Sequence, residues 1–252
     1  MYTDEELEQL EQEEHAMTNE EIALMLLLLA STRSDLENSI REFYQKYGKD
    51  GVVTYAEARK WISTKDHRRR LTVLLLFITE SFINLSDNLK PHFRNIIKEI
   101  WSKEAEFFSA KLPKDIADLE WGADNRDWEE RLEDDIVQWT FNVRTKVNQG
   151  LLRKDSVNDV LDDVDDVINT IEKALIRLAF TESTAAGSDA RKEIFKQHGF
   201  KKYRFYTRED ERTCEICGSM HGLIFPVSSM TIGVNASPLH PRCRCWEVPI
   251  VE

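Results

Sequence analysis

Every cysteine of this chain lies in one window, "TCEICGSMHGLIFPVSSMTIGVNASPLHPRCRC", from Thr213 to Cys245. The four thiols form two pairs, Cys214/Cys217 and Cys243/Cys245, with His240 just ahead of the second pair. Two-residue spacing in Cys214-x-x-Cys217 and His240-x-x-Cys243 lets both side chains of a tight knuckle point at one ion. The twenty-two residues between the knuckles form a loop or hairpin that brings them together. Tetrahedral Zn²⁺ takes this many thiolate and imidazole donors, and a small irregular β region gains folding energy from the bonds. The ligand set read from spacing is Cys214, Cys217, His240 and Cys243, with Zn²⁺ in a structural role. Cys245 is a fifth candidate: on a strand it shares a face with Cys243, so it replaces His240 or supports the site from nearby. Two disulfides, or free buried thiols, are the competing interpretations.

The rest of the chain favours the metal. The N-terminus "MYTDEELEQLEQEEHAM" is acidic where a secretory signal is basic and then apolar. The longest apolar run, Ile22–Ala30, is roughly half of a bilayer span. A soluble protein made in a reducing compartment is expected, and there paired cysteines serve metal or redox chemistry before disulfides. Charge is uneven. From Ala190 onward ten Lys/Arg face seven Asp/Glu, a balance of +3, so the first 189 residues carry −15 of the total −12. An acidic body excludes broad coating of duplex nucleic acid, which needs a basic face, and suits docking on another protein.

Periodicity predicts helix through most of the first 198 residues. Thr18-Asn-Glu-Glu21 has the form of a capping box and predicts a helix start, with an end near Gly48. Thr54-Tyr-Ala-Glu57 repeats the start signal. Helix is expected from about Arg68 to Phe108 with a break or first-turn position at Pro91. It is expected again from about Asn125 to Gly150, with Trp128, Leu132, Ile136, Trp139 and Val143 on one stripe. Ser156-Val-Asn-Asp159 caps a further helix carrying Val160, Val164, Ile168 and Leu175, and a last helix runs about Asp189 to His198, closed by Gly199. Beyond it, "KKYRFYTRED", "GLIFPV" and "CRCWEVPIV" read as short strands. The expected class is mainly α: an extended helical body, residues 1–175, with a small zinc-stabilised α+β C-terminal module, residues 176–252.

Catalytic alternatives lack their parts. A catalytic zinc keeps three protein ligands and an open position beside a general acid or base. No histidine is followed by x-Glu as deaminases require, and His-Glu-x-x-His is absent. A thioredoxin-like reading lacks its βαβ setting. "DVLDDVDDV" (Asp159–Val167) has valines at helical spacing and no glycine, so it reads as an acidic helix face and not a calcium loop. "HRRR" (His67–Arg70) is a short basic cluster that could grip phosphates or an acidic partner. Ile22–Ala30 is apolar nearly all round, implying deep burial or a partner helix.

Three blocks, "RLAFTESTAAGSDARKEIFKQHG", "DERTCEICGSMHGLIFPV" and "PLHPRCRC", resemble the phage Mu protein F-like family of head morphogenesis proteins. The family pattern falls on Arg177, Thr181 and Glu182, then Asp210, Glu211, Thr213, Cys214 and Cys217. It continues through Gly222, Phe225, His240, Pro241, Cys243 and Cys245. His221 stands where the family often has an acidic residue, which makes it an extra or alternative ligand candidate. The resemblance covers Ile176 to the C-terminus and implies a minor head protein of a tailed phage or prophage. Such a protein is made in the host bacterial cytoplasm and resides in the virion, at the head interior or portal vertex. It binds the portal protein or inner capsid, with possible contact to packaged DNA, no membrane span and no enzymatic activity. Some relatives carry toxin or ADP-ribosyltransferase domains; with seven residues after Cys245, none is expected downstream. A zinc-dependent hydrolase or nuclease of phage origin is the alternative. Arg177 or Glu182 is expected to anchor its helix to the zinc cap through charge-assisted hydrogen bonds.

Overall fold

The computed structural model describes residues 4–60, 70–113, 116 and 119–251. Four long helices dominate: α1 (Asp4–Tyr47), α3 (Arg70–Phe107), α4 (Trp128–Arg153) and α5 (Val157–His198), with a single-turn α2 (Tyr55–Ala58). The C-terminal part holds β1 (Lys202–Tyr206), α6 (Glu215–Met220), β2 (Ile224–Pro226) and β3 (Trp246–Ile250). The architecture is mainly helical with a small C-terminal sheet, as the periodicity predicts. No helix among the described residues is long and apolar enough to cross a membrane.

The chain divides into two compact units, each drawn from separated segments: Met1–Ala23, Pro91–Arg131 and Leu175–Glu252 in the first, Leu24–Lys90 and Leu132–Ala174 in the second. Residues 176–252 thus share their unit with the N-terminal residues and with the middle of the chain. The second unit is a set of helical segments burying Met25, Leu36, Ile78, Phe82, Val143 and Val164. Arg33 to Asp165 and Lys146 to Asp163 tie its helices. Asp163 and Asp165 of "DVLDDVDDV" are therefore ion-paired on a helix face, and Asp159 bonds to Ser156 at the helix start. In the first unit, Leu7, Trp101, Phe108, Phe195, Tyr203 and Met230 belong to one apolar cluster.

Several element boundaries differ from expectation. Helix α1 passes straight through Thr18, which is buried and whose Oγ1 donates to the Glu14 carbonyl at 2.8 Å. The upstream turns also have a buried face, but Glu11 and Glu14 occupy it beside Leu7 and Leu10, so the apolar stripe begins late when hydrophobicity alone is counted. Pro91 lies inside α3; buried Leu85, Leu89, Phe93 and Ile96 on either side hold the helix together across one missing N–H. Helix α4 runs beyond Gly150 to Arg153. Helix α5 is continuous to His198 instead of restarting near Asp189. Its Thr181, Ser183 and Thr184 hydroxyls donate back to carbonyls of the preceding turn, which satisfies these polar groups inside the helix. Of Ile22–Ala30, Ile22, Met25 and Leu29 are buried while Leu24 and Leu27 are exposed, so deep burial holds for one face only.

Other punctuation agrees with expectation. Thr54 caps α2, and Ser156 and Asp159 exchange capping bonds at the start of α5. Gly199 takes φ +75° after α5, the left-handed residue that ends many helices. Arg70 opens α3 and stacks on the Tyr47 ring at 4.4 Å; His67, Arg68 and Arg69 lie outside the described residues.

Candidate metal centre

The sheet places the two knuckles. Strand β1 is central, antiparallel to β2 and β3 in the order β2-β1-β3. Alternation along β1 buries Tyr203 in the apolar cluster of the first unit and Phe205 among Cys217, Cys243 and Cys245. Cys214 caps α6 and accepts the Cys217 N–H on its Sγ at 3.4 Å, so the first knuckle is a helix start. The second knuckle is the turn His240–Cys243, closed by the Cys243 N–H to the His240 carbonyl at 3.1 Å, with Arg242 left-handed at φ 59°.

No disulfide joins the four cysteines in this structure. The His240 Nε2 atom stands 3.2 Å from both Cys214 Sγ and Cys217 Sγ, and Cys217 Sγ is 3.7 Å from Cys243 Sγ. Bonds of about 2.3 Å at the tetrahedral angle separate two sulfur ligands by about 3.8 Å. The imidazole is in the right tautomer. Its Nδ1 faces the Pro241 carbonyl oxygen at 2.9 Å, an acceptor only, so the proton sits on Nδ1 and the Nε2 lone pair points at the thiols. The donors form two overlapping trios, Cys214/Cys217/His240 and Cys217/Cys243/Cys245. Spacing points to Cys214, Cys217, His240 and Cys243 with Cys245 as a fifth candidate, and the fold places Cys245 in the second trio.

The electrostatics separate the roles of the thiols. A hydrogen bond from Cys245 pulls Cys243 down to about 5, and the same bond pushes Cys245 up. The two sulfurs are thus linked, the Cys245 S–H favouring negative charge on Cys243. Burial pushes Cys217 up to about 12, the cost that a cation removes by binding the thiolate. His221 is in neither trio: its Nδ1 accepts the Thr207 N–H at 3.2 Å and its Nε2 faces Glu209 at 3.4 Å.

The remaining motif residues brace the knuckles. Asp210 accepts both Arg244 guanidinium nitrogens, at 2.7 and 2.6 Å, and the Arg212 N–H at 3.0 Å. The Thr213 hydroxyl accepts the Asp210 N–H at 3.1 Å. Arg244, between the last two cysteines, is thereby strapped to the turn feeding the first two, and its charge holds the Asp210 carboxyl well below the usual range. Gly222, at φ +77°, turns the chain so that its N–H reaches the Phe205 carbonyl at 2.9 Å.

The expected anchor residues are not the ones used. Arg177 is exposed. Glu182 is buried, but it accepts from Arg131 at 2.7 Å and Trp121 at 2.9 Å, away from the sheet. The hydroxyls beside them make the connection: Thr181 accepts the Arg242 N–H at 3.1 Å, and Thr184 donates to the Cys243 carbonyl at 3.2 Å. Glu182 serves a different joint, because Arg131 also donates to the Trp121 carbonyl and to Asp124, and stacks over the Trp121 ring. No periodic signal marks Trp121 or Arg131 for this role.

Residues 141–248 match the family model of the Phage Mu protein F like protein. The match begins within α4, upstream of the blocks that carried the resemblance, and contains all four cysteines and His240. No curated protein and no solved structure matches the chain.

Proposed function

From the Phage Mu protein F like match over residues 141–248, we propose that this is a minor head protein of a tailed phage or prophage. It acts in head morphogenesis by docking to the portal or the inner capsid, and aids packaging or ejection of the genome without catalysing a reaction. The observation that carries the reading is that match, falling on the segment whose Cys and His donors converge. Cys214, Cys217, His240 and Cys243 hold a structural Zn²⁺, with Cys245 donating to Cys243. When bound, the ion cross-links the two knuckles. Thr181, Thr184 and Arg244 couple the knuckles to α5 and to the Asp210 turn, so residues 176–252 present one shaped docking module. Of the helical residues 1–175, Met1–Ala23 and Pro91–Arg131 share a compact unit with this module. The full donor set leaves the cation no need of substrate as a ligand, which favours a structural ion over a hydrolytic one.

The direct test is co-expression with the portal protein of the same phage, followed by affinity capture from either partner. Co-purification in stoichiometric amount, lost with Cys214→Ser, is expected. Failure to join portal or procapsid, with metal-dependent hydrolysis of nucleic acid or cell wall, would replace this reading with the enzyme.

A further inference from the structure

Beside the second knuckle lies a pocket of about 280 Å³ whose lining includes Arg208, Arg212, Arg242 and Arg244 together with His15 and Phe180. Among the described residues no carboxylate lines it, in a chain of net charge −12. Of the C-terminal basic residues, Arg208, Arg212, Arg242 and Arg244 converge here, and Lys201, Lys202 and Arg204 do not. Two of the guanidiniums are held in place from outside: Arg208 by Glu11 at 3.0 Å and Arg244 by Asp210. Arg212 is exposed and makes no ion pair among the described residues.

We propose that this pocket binds a nucleoside phosphate. The Arg212 guanidinium is a planar fork that can match two phosphate oxygens, while Arg208 and Arg244, whose forks engage Glu11 and Asp210, contribute positive charge already fixed in place. The other wall is aromatic. The His15 and Phe180 rings lie 5.7 Å apart, tilted by 54°, a surface on which a base stacks irrespective of sequence. Burial, and then the charges of Arg208 and Arg244, push His15 down to about 4, so its ring is neutral at physiological pH and leaves the cationic work to the arginines. The volume suits one nucleotide unit and is too small and concave for the surface of a duplex. The ligand is therefore a free nucleotide or an unpaired nucleotide of a single strand. The pocket needs no portal or capsid partner, so its occupancy stands apart from the docking reading.

Calorimetric titration of the purified full-length protein with AMP, adenosine, inorganic phosphate and a short single-stranded oligonucleotide tests this. AMP is expected to bind more tightly than adenosine or inorganic phosphate. The double variant Arg212→Gln/Arg242→Gln should weaken AMP about ten-fold or more, with metal content and melting temperature unchanged. Phe180→Leu should weaken AMP and leave inorganic phosphate unaffected. An oligonucleotide tighter than AMP assigns the pocket to a strand; AMP equal or tighter assigns it to the free nucleotide. No binding by any probe, AMP affinity unchanged in a folded double variant, or binding of a glutamate-rich peptide with none of AMP, overturns the proposal.

Discussion

Arg191 offers the sharpest test of how the first unit is held together. Its guanidinium, 4 % exposed, faces Glu14 at 3.3 Å and Glu247 at 3.7 Å and pairs with Glu104; all three carboxyls are buried. Burial raises each of these carboxyls above its ordinary value, and Arg191 opposes that rise in every one. Arg191→Met keeps the volume and removes the cation, leaving three carboxyls in an interior with no compensating charge. Breaking a buried ionic cluster from one side costs about 3–5 kcal/mol, a fall in melting temperature on the order of 10 °C for a chain of this size. The pH dependence has a definite sign. A carboxyl whose folded pKa is raised contributes stability that is fully present below its unfolded value and is lost as pH rises through the folded value. Losing Arg191 raises the folded values further, so the variant binds more protons than the parent, and its deficit should shrink as pH falls from about 8 to about 5. Thermal melts across that range, followed by circular dichroism with parent and variant side by side, measure this directly. A deficit below about 1 kcal/mol, or one that does not change with pH, would refute the description of these groups as a mutually dependent buried cluster.

Three further outcomes are expected. Elemental analysis of the reduced protein should find about one zinc per chain; Cys214→Ser, Cys217→Ser and His240→Ala should each abolish it, whereas Cys245→Ser should weaken binding and leave stoichiometry intact. Thr181→Val removes the acceptor of the Arg242 N–H and should cost about 1–3 kcal/mol, while Arg177→Ala, at an exposed position, should stay within about 0.5 kcal/mol; equal effects in urea melts would put the anchor elsewhere. Gly150→Ala would set a methyl 2.3 Å from Val160 Cγ2 and should destabilise by about 1–3 kcal/mol despite the better helix propensity of alanine. Val160→Ala in the same chain should recover part of that loss.

The sequence by itself determined the parts of this protein whose physics is local. Hydrogen bonding within four residues makes Thr54 and Ser156 recognisable caps, and a left-handed backbone makes Gly199 a recognisable stop. Period-two burial marks Tyr203 and Phe205 as strand residues. Short spacing makes Cys214 with Cys217, and His240 with Cys243, neighbours in any fold the chain adopts. Tertiary structure decided what depends on distant partners. Glu11 and Glu14 lie ahead of the helix start expected at Thr18; they are buried within a longer helix because Arg208 and Arg191, 197 and 177 residues away, bring compensating charge. Thr181 and Thr184, not Arg177 and Glu182, join α5 to the second knuckle, since a hydroxyl reaches a backbone group that only the folded turn presents. For the same reason Cys245, a fifth candidate by spacing, lies in a trio with Cys217 and Cys243, and His221 lies in neither trio. A side chain's type restricts which partners it can accept, but the free energy of burying it is set by the partner the fold delivers.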